Sequence, residues 1–249
     1  MNIFLFVTDL DHTLVGDKEA LKKLNHKLEH HRKEYGTKIV YATGRSLTLY
    51  KELLREQLLL TPDALVASVG TEIYFDCQEY TTDSEWAEKL SFGWNRDLAV
   101  KVAETFPELI QQQESEQRPF KASYLLTEED SIKVIPKLKS DLAKNDLKFN
   151  LIYSGAKDLD ILPLYADKGL AVKFLQHKWQ FGSHNTVVCG DSGNDIALFN
   201  AGEERGIIVG NARSELVEWY KANLKSYRYM AKSFYANGIL EGLHYFNFI

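Results

Sequence analysis

Short runs of apolar residues alternate along the chain with segments in which leucines recur at helical spacing. The first run covers residues 3–7, and beyond it Leu21, Leu24 and Leu28 recur every three or four residues until Gly36. An unbroken apolar run of this length is typical of a strand buried on both faces, and a glycine after periodic leucines marks a helix end. Because strands that alternate with helices need right-handed crossovers, the pattern predicts a mainly parallel sheet.

The same alternation covers both ends of the chain but changes character in the middle. Further strands are predicted at 38–42, 64–67, 73–75, 186–189 and 206–209, and helices at 47–58, 166–175, 216–220 and 238–246, with a short helix from 194. The middle of the chain has the order helix 95–106, strand 120–126, helix 132–144 and strand 147–153. Residues 157–162 alternate as in a half-buried strand, and we expect the polar tract 111–116 to be a solvated loop.

These patterns predict a discontinuous α/β protein. Its core is a Rossmann-like parallel sheet formed by residues 1–79 and 159–249, and residues 80–158 form an inserted α+β cap domain. In open α/β sheets ligands bind at the carboxyl ends of the strands, and we expect the insert to lie above those ends.

The overall composition excludes several classes of function. The formal net charge is −5, and no cluster of Lys and Arg offers a stripe for nucleic acid. No stretch approaches the roughly 18 apolar residues that a membrane span needs, and the first residues lack a basic leader pattern. The two cysteines, Cys77 and Cys189, are too few for a disulfide framework. We therefore expect a cytoplasmic protein that binds neither nucleic acid nor membranes.

Carboxylates follow two of the predicted buried strands. Asp9 and Asp11 come directly after the first strand, and their spacing of two places both side chains on one face of an extended chain. Asp191 and Asp195 follow the strand at 186–189. Anions held this close require a cation, and Mg²⁺ fits because it accepts carboxylates and leaves positions free for a phosphate. Each pair alone could simply cap the next segment, but the two in this order favour one site.

The residues supply each part that phosphoryl transfer needs. We expect Asp9 to be the nucleophile and Asp11 to act first as an acid and then as a base. Mg²⁺ would bind the Asp9 carboxylate, the Asp11 carbonyl oxygen and the Asp191 carboxylate. Asp195 would orient a metal-bound water or pair with a lysine.

Two further segments offer contacts to phosphate. Thr43 and Gly44 lie where a strand becomes a helix, so that a hydroxyl and a free N–H can both point at an anion. Lys168, at the start of a later helix, supplies a compact positive charge. Taken alone, the first segment could be an ordinary helix start and Lys168 one of many lysines. Together with the carboxylates, and in this order, they favour a phosphatase.

The order of these motifs resembles the haloacid-dehalogenase superfamily of aspartyl-nucleophile phosphatases. The motifs are DLDHT at 9–13, YATGRS at 41–46, a lysine before the last third and GDSGND at 190–195. The resemblance implies the roles given above for the four aspartates, the threonine and the lysine. It also implies a fold of the haloacid-dehalogenase type, in which the insert corresponds to the second type of cap.

A narrower resemblance, to sucrose-phosphate phosphatases, covers almost the whole chain. It rests on VGTEIYF at 69–75, FKASY at 120–124, SGAKDLDILP at 154–163, VCGDSGNDIALF at 188–199 and GILEGLHYF at 238–246. It implies a Mg²⁺-dependent hydrolysis of sucrose 6-phosphate through an aspartyl-phosphate, the final step of sucrose biosynthesis. It further implies a short, catalytic form without the C-terminal extension of the plant enzymes, and makes a sucrose-phosphate synthase the candidate protein partner.

The sugar would be bound by polar residues in the segments that carry this resemblance. The predicted substrate-binding residues are Thr43, Gly44, Arg45, Glu72, Lys121, Tyr124, Lys157, Asp158, Asp160 and Asn194. Three alternatives remain open: a phosphatase for another sugar phosphate, such as mannosyl-3-phosphoglycerate or trehalose 6-phosphate; a phosphohexomutase; and a non-catalytic phosphosugar-binding regulator. The presence of both Asp9 and Asp11 argues against the last.

Overall fold

The structure is a computed structural model and describes residues 3–249, so the first two residues of the predicted core lie outside the described residues. The strands are β1 Leu5–Thr8, β2 Lys38–Ala42, β3 Ala64–Ala67, β4 Glu72–Tyr74, β5 Ile110–Gln111, β6 Ala122–Leu125, β7 Phe149–Ser154, β8 Asp158–Pro163, β9 Thr186–Gly190, β10 Arg205–Ile208 and β11 Arg228–Met230. The α-helices are α1 Lys18–Tyr35, α2 Leu47–Glu56, α3 Ser84–Ser91, α4 Arg96–Ala103, α5 Glu128–Lys144, α6 Lys168–Trp179, α7 Ile196–Asn200, α8 Ser214–Ala222 and α9 Tyr235–Tyr245. Among these residues no helix combines the length and apolarity needed to cross a bilayer.

Seven strands form the larger sheet, in the order β11-β10-β9-β1-β2-β3-β4. Every neighbouring pair is parallel except β3 and β4. Helices cover both faces: α1, α2 and α9 contribute to one apolar cluster, and α3, α6, α7 and α8 to the other. This confirms the predicted α/β class with a mainly parallel sheet. Because β1 lies between β2 and β9, the segments that follow these three strands meet at one edge.

Helix α1 illustrates how the local sequence sets these elements. The side chain of Asp17 accepts hydrogen bonds from the backbone N–H groups of Glu19 and Ala20, which caps the first turn. Gly36 has φ +81°, in the left-handed region that ends many helices. The periodic leucines between these caps are buried against the larger sheet.

A second, antiparallel sheet has the order β5-β6-β8-β7. Helices α4 and α5 pack on one of its faces around Leu138, Leu142 and Leu159. The other face turns toward the carboxyl ends of the larger sheet, where Asp160 lines a cleft and Leu162 joins an apolar cluster of the larger sheet. The expectation that residues 157–162 are half-buried was therefore wrong, because β8 is covered on both faces.

Packing shifts both expected ends of the inserted segment. Helix α3 buries Trp86 and Leu90 in an apolar cluster of the larger sheet, so we propose that the first junction lies after Ser91 instead of at residue 80. Among residues 3–249, strand β8 pairs with β6 and β7 alone, so we propose that the second junction lies after Pro163 instead of at residue 158. We call residues 92–163 the insert.

Candidate active site

The main chain fixes the first carboxylate at the shared edge of β1, β2 and β9. Thr8 pairs with Tyr41 on one side and with Cys189 on the other. The next N–H, that of Asp9, donates to the carbonyl oxygen of Cys189 at 3.0 Å, so the ladder extends one residue past the strand. Asp9 is therefore held rigidly, and its side chain is buried.

Three buried carboxylates and one buried lysine form the centre of the site. Each of Asp9, Asp191 and Asp195 offers an oxygen within 4.8 Å of those of the others. The Lys168 ammonium lies 2.7 Å from Oδ1 of Asp9 and 2.7 Å from Oδ1 of Asp195. It also donates to Oδ1 of Asn194 at 2.7 Å. Asp191 and Asp195, from the segment after β9, and Lys168, the first residue of α6, thus lie beside Asp9.

The electrostatics of this cluster favour a bound cation. Burial raises the pKa of Asp9 well above its ordinary value, and although Lys168 lowers it, Asp195 and Asp191 raise it further. Burial also raises the pKa of Asp191 to about 7, with a further contribution from Asp195. Lys168 alone therefore does not offset the negative charge. A donor set made only of carboxylate and carbonyl oxygens suits a hard cation, so these residues fit a metal ion.

Asp195 organises the loop that follows β9. Its Oδ2 accepts hydrogen bonds from the N–H groups of Asp191 at 3.0 Å and of Ser192 at 3.1 Å. Gly190 is required here, because a Cβ at this position would lie 2.5 Å from the Cβ of Asp195. Asp191 in turn accepts a hydrogen bond from the Thr13 hydroxyl at 2.8 Å. This geometry fits the expectation that Asp195 pairs with a lysine.

Asp11 forms an ion pair with Arg45. Its two carboxylate oxygens accept hydrogen bonds from Nε and Nη2 of Arg45, each at 2.7 Å. Such bidentate pairs are strong and fix the carboxylate plane. The predicted metal contact of Asp11 is its carbonyl oxygen, and its side chain lies outside the three-carboxylate cluster found among residues 3–249.

Thr43 directly precedes two residues that line the cleft. Its side chain is fully buried, and its hydroxyl oxygen accepts the N–H of Arg45 at 3.1 Å. Gly44 and Arg45 themselves line the cleft.

A cleft of about 410 Å³ separates this centre from the insert. Of the predicted site residues, the structure places these along its walls: Asp9, Asp11, Gly44, Arg45, Lys121, Lys157, Asp158, Asp160, Asp191 and Asn194. The carboxylates that follow β1 and β9 thus face residues from the insert. We expect one ligand to contact both walls.

Buried charges form the wall that the insert contributes. The Lys121 ammonium lies 3.2 Å from Oε2 of Glu116 and 3.7 Å from Oδ1 of Asp160. Asp160 also accepts a hydrogen bond from the Ser123 hydroxyl at 2.6 Å. Lys121 reaches across the cleft to the carbonyl oxygen of Gly44, at 3.5 Å.

The expectation of a solvated loop at 111–116 was wrong at its end. Glu116 is buried because it pairs with Lys121, and its Oε1 has no partner among residues 3–249. Gln112, from the same tract, donates to Oδ1 of Asp158 at 3.1 Å. Burial raises the pKa of Asp158, although Lys157 lowers it.

Two predicted substrate contacts lie elsewhere. Glu72 accepts hydrogen bonds from Ser68, Tyr74 and Arg118 and lines a different pocket. Tyr124 packs in the apolar cluster of the insert with Leu159. Since neighbouring residues of a strand point to opposite faces, Tyr124 points away from the face on which Ser123 donates to the cleft residue Asp160. Both assignments are corrected on these grounds.

Several cleft residues escaped the sequence analysis. They are His12, Leu49, Val69, Gln112, Gln113, Glu116, Ser154, Gly155, Ser192 and Arg213. Gln112, Gln113 and Glu116 come shortly before the FKASY segment that carried the family resemblance, and this was the signal available for them. Arg213 directly precedes α8, at a position that no motif marks.

Known proteins are similar to this chain in sequence and in fold. Probable sucrose-phosphatase 2 of Arabidopsis thaliana is 40% identical over 250 residues, which are 97% of this chain and 59% of that protein. The chain thus spans less than two thirds of the length of that plant relative. The mannosylfructose-phosphate phosphatase of Agrobacterium fabrum is 31% identical over 97% of this chain and 96% of its own length.

A solved structure matches over nearly the full length of both chains. It is the sucrose-phosphatase from Synechocystis sp. PCC6803 in complex with sucrose and phosphate, with 39% identity, a TM-score of 0.92 and 99% of each chain covered. The family model described as sucrose-6F-phosphate phosphohydrolase matches residues 2–247. The resemblance predicted from the motifs is confirmed, and the chain belongs to the sucrose-6F-phosphate phosphohydrolase family.

Proposed function

We propose that this chain hydrolyses sucrose 6-phosphate to sucrose and inorganic phosphate with the help of Mg²⁺. The observation that carries the proposal is the pairing of two walls across one cleft. Asp9, held by Lys168 at 2.7 Å, lies on one wall, and the buried charges of the insert lie on the other. A phosphate at the first wall places its sugar at the second. The relative solved with sucrose and phosphate supports this choice of substrate.

The covalent steps are assigned to two aspartates. An oxygen of Asp9 attacks phosphorus, the bond from phosphorus to the sugar oxygen breaks with its electron pair on that oxygen, and the Asp11 carboxyl gives it a proton. Asp11 then takes a proton from the water that attacks the aspartyl-phosphate, which releases phosphate and restores Asp9. Because both Asp11 oxygens are bonded to Arg45, this transfer requires one of these hydrogen bonds to open.

The cation would be held by the Asp9 carboxylate, the Asp11 carbonyl oxygen and the Asp191 carboxylate. Bound there, Mg²⁺ supplies positive charge to the phosphoryl oxygens. Lys168 keeps Asp9 oriented, and its positive charge offsets part of the negative charge of the carboxylates. Asp195 holds the loop of Asp191. Thr43 and Gly44 are assigned to the phosphate, as the sequence predicts.

The sugar hydroxyls are assigned to the insert. Oε1 of Glu116 is buried in the cleft wall and has no hydrogen-bond partner within residues 3–249, which suits a hydroxyl donor. Lys121, Lys157, Asp158 and Asp160 offer donors and acceptors beside it. A site of this kind rejects analogues that leave its buried polar groups unpaired.

A second candidate substrate is mannosylfructose phosphate. It is supported by the relative of matching length, whose name gives that activity. A steady-state phosphate-release assay separates the candidates with sucrose 6-phosphate, mannosylfructose phosphate, trehalose 6-phosphate, mannosyl-3-phosphoglycerate, fructose 6-phosphate and glucose 6-phosphate. We expect the highest kcat/KM for sucrose 6-phosphate. Equal values for the monosaccharide phosphates would refute the disaccharide assignment and leave the phosphatase mechanism standing.

Two expectations about the cellular context belong to the same proposal. We place the protein in the cytoplasm, and we name a sucrose-phosphate synthase as the candidate partner. Fractionation of cells and co-purification with a tagged synthase test the two separately.

A further inference from the structure

A strained turn connects β3 to β4 beside the cleft. Ser68, Val69 and Gly70 have φ values of +52°, +60° and +95°. A β-branched residue such as Val69 rarely adopts a positive φ. Backbone strain of this kind persists only where the surroundings fix it, and it clusters at functional sites. Val69 itself lines the cleft.

The main chain of this turn is bonded to the proposed phosphate-binding segment. The N–H of Ser68 donates to the carbonyl oxygen of Arg45 at 2.8 Å, and the N–H of Val69 donates to that of Thr43 at 3.1 Å. On the far side Gly70 packs against Asp167, where a Cβ would lie 2.3 Å from the carbonyl carbon. The turn cannot move without moving residues 43–45.

Glu72 connects the turn to the insert. Its Oε2 accepts hydrogen bonds from the Ser68 hydroxyl at 3.1 Å and the Tyr74 hydroxyl at 3.0 Å. Its Oε1 accepts a hydrogen bond from Nε of Arg118 at 2.8 Å. The Glu72 side chain is 6% exposed and that of Arg118 is 32% exposed. Loss of one partner would leave the buried carboxylate uncompensated, so the pair resists separation.

Arg118 and Lys121 are tied together by their main chains. Each donates its N–H to the carbonyl oxygen of the other at 3.0 Å. The indole N–H of Trp94 donates to the carbonyl oxygen of Pro119 at 2.9 Å and fixes the tip of this turn. The position of Arg118 therefore sets the position of Lys121, whose ammonium contacts Glu116 and reaches the carbonyl oxygen of Gly44.

We propose that Glu72 and Arg118 are positioning residues for substrate recognition. They hold Lys121 at a fixed position relative to the Thr43–Arg45 segment. One sugar phosphate can then contact the carboxylate cluster and the insert at the same time. The inference rests on the proposed function for the identity of the substrate. It gives Glu72 a role that differs from the direct substrate contact expected from the sequence.

The test compares Arg118→Met with wild type on sucrose 6-phosphate and on p-nitrophenyl phosphate, a small ester without sugar hydroxyls. We expect kcat/KM for sucrose 6-phosphate to fall by about 10- to 100-fold, mainly through KM, because misplacement of a contact by about 1 Å has this effect. The loss for p-nitrophenyl phosphate should be smaller. Arg118→Lys, which keeps the charge, should restore part of the preference. Glu72→Gln should cause the same loss, because it removes the ion pair and keeps Arg118.

Two further measurements show whether Arg118 acts through Lys121. In a Lys121→Met background, Arg118→Met should cause little additional loss on sucrose 6-phosphate. Hydrogen exchange at the amides of Arg118 and Lys121 should be faster in Arg118→Met than in wild type. Arg32→Met is the matched control, since it removes a partly exposed ion pair with Asp63 outside the cleft.

The outcomes separate this inference from the proposed function. If wild type prefers sucrose 6-phosphate and Arg118→Met retains that preference as fully as Arg32→Met does, the inference is overturned and the function stands. Equal losses on both esters, or multiplicative losses with Lys121→Met, also overturn it. If wild type shows no preference for sucrose 6-phosphate, the proposed substrate is wrong. The variants are then compared on the sugar phosphate that wild type hydrolyses best, with the same criteria.

Discussion

Without a divalent cation, the protein should become less stable as the pH rises toward neutrality, and Asp191→Asn should remove much of that decline. Burial, reinforced by Asp195, raises the pKa of Asp191 from its ordinary value of 3.8 to about 7. A carboxyl with a higher pKa in the folded protein binds more protons when folded. Its contribution to stability is therefore full below pH 3.8 and is lost as the pH approaches 7. The difference between these two pKa values of Asp191 corresponds to about 4 kcal/mol of folding stability.

Urea unfolding in a chelator, followed by tryptophan fluorescence at about pH 4 and about pH 7, measures this effect. At the higher pH the Asp191→Asn variant should be more stable than wild type, and at the lower pH the two should be closer. Asp146→Asn, at an exposed position, is the control for loss of one carboxylate. Added Mg²⁺ should stabilise wild type more than Asp191→Asn at neutral pH. A free-energy difference between wild type and Asp191→Asn that is the same at both pH values would refute the reasoning.

The nucleophile, the metal and the sugar contacts can each be tested separately. Asp9→Asn should lose essentially all phosphate release, since an amide neither attacks phosphorus nor binds a cation as a carboxylate does. Circular dichroism should show that the variant stays folded, and residual turnover above about 5% would contradict the assignment. A chelator should abolish turnover and Mg²⁺ should restore it, whereas Ca²⁺, with its looser coordination, should inhibit; full activity in the chelator would exclude the metal. Lys121→Ala and Asp158→Ala should lower kcat/KM about tenfold or more for sucrose 6-phosphate and less for p-nitrophenyl phosphate, and equal losses would contradict their assignment to the sugar.

The sequence was most informative where local pattern and chain order are sufficient. The bounds of β2 and β3 agree with the predicted strands, because each is a short apolar run between polar residues. The parallel order then brings the residues that follow β1 and β9 together, so Asp9 could be linked to Asp191 and Asp195 before any contact was known. The antiparallel β4 and the late strand β11 carry weaker local signals. Helix α3 went unnoticed because its apolar face consists of little more than Trp86 and Leu90.

The sequence was least informative about the insert, where burial depends on partners far along the chain. Glu116 looked solvated within a run of Gln and Glu, and only its pairing with Lys121 explains its burial. Strand β8 looked half-buried because Asp160 is polar, although its polar face closes over the cleft. Tyr124 was grouped with Lys121 on the strength of a shared segment. The alternation of side chains along β6 would have separated them.

On the proposed assignments, reaction chemistry and substrate choice depend on different kinds of contact. The carboxylate cluster is formed by residues of the segments that follow the neighbouring strands β1 and β9, so the strand order brings it together. The cleft wall that the insert contributes is linked to the larger domain through the Glu72–Arg118 ion pair and through the hydrogen bond from Lys121 to the carbonyl oxygen of Gly44. We therefore expect substitutions in the insert to change the preferred sugar and to leave phosphoryl transfer intact. A family relative of matching length whose name gives a different disaccharide phosphate is consistent with such a division.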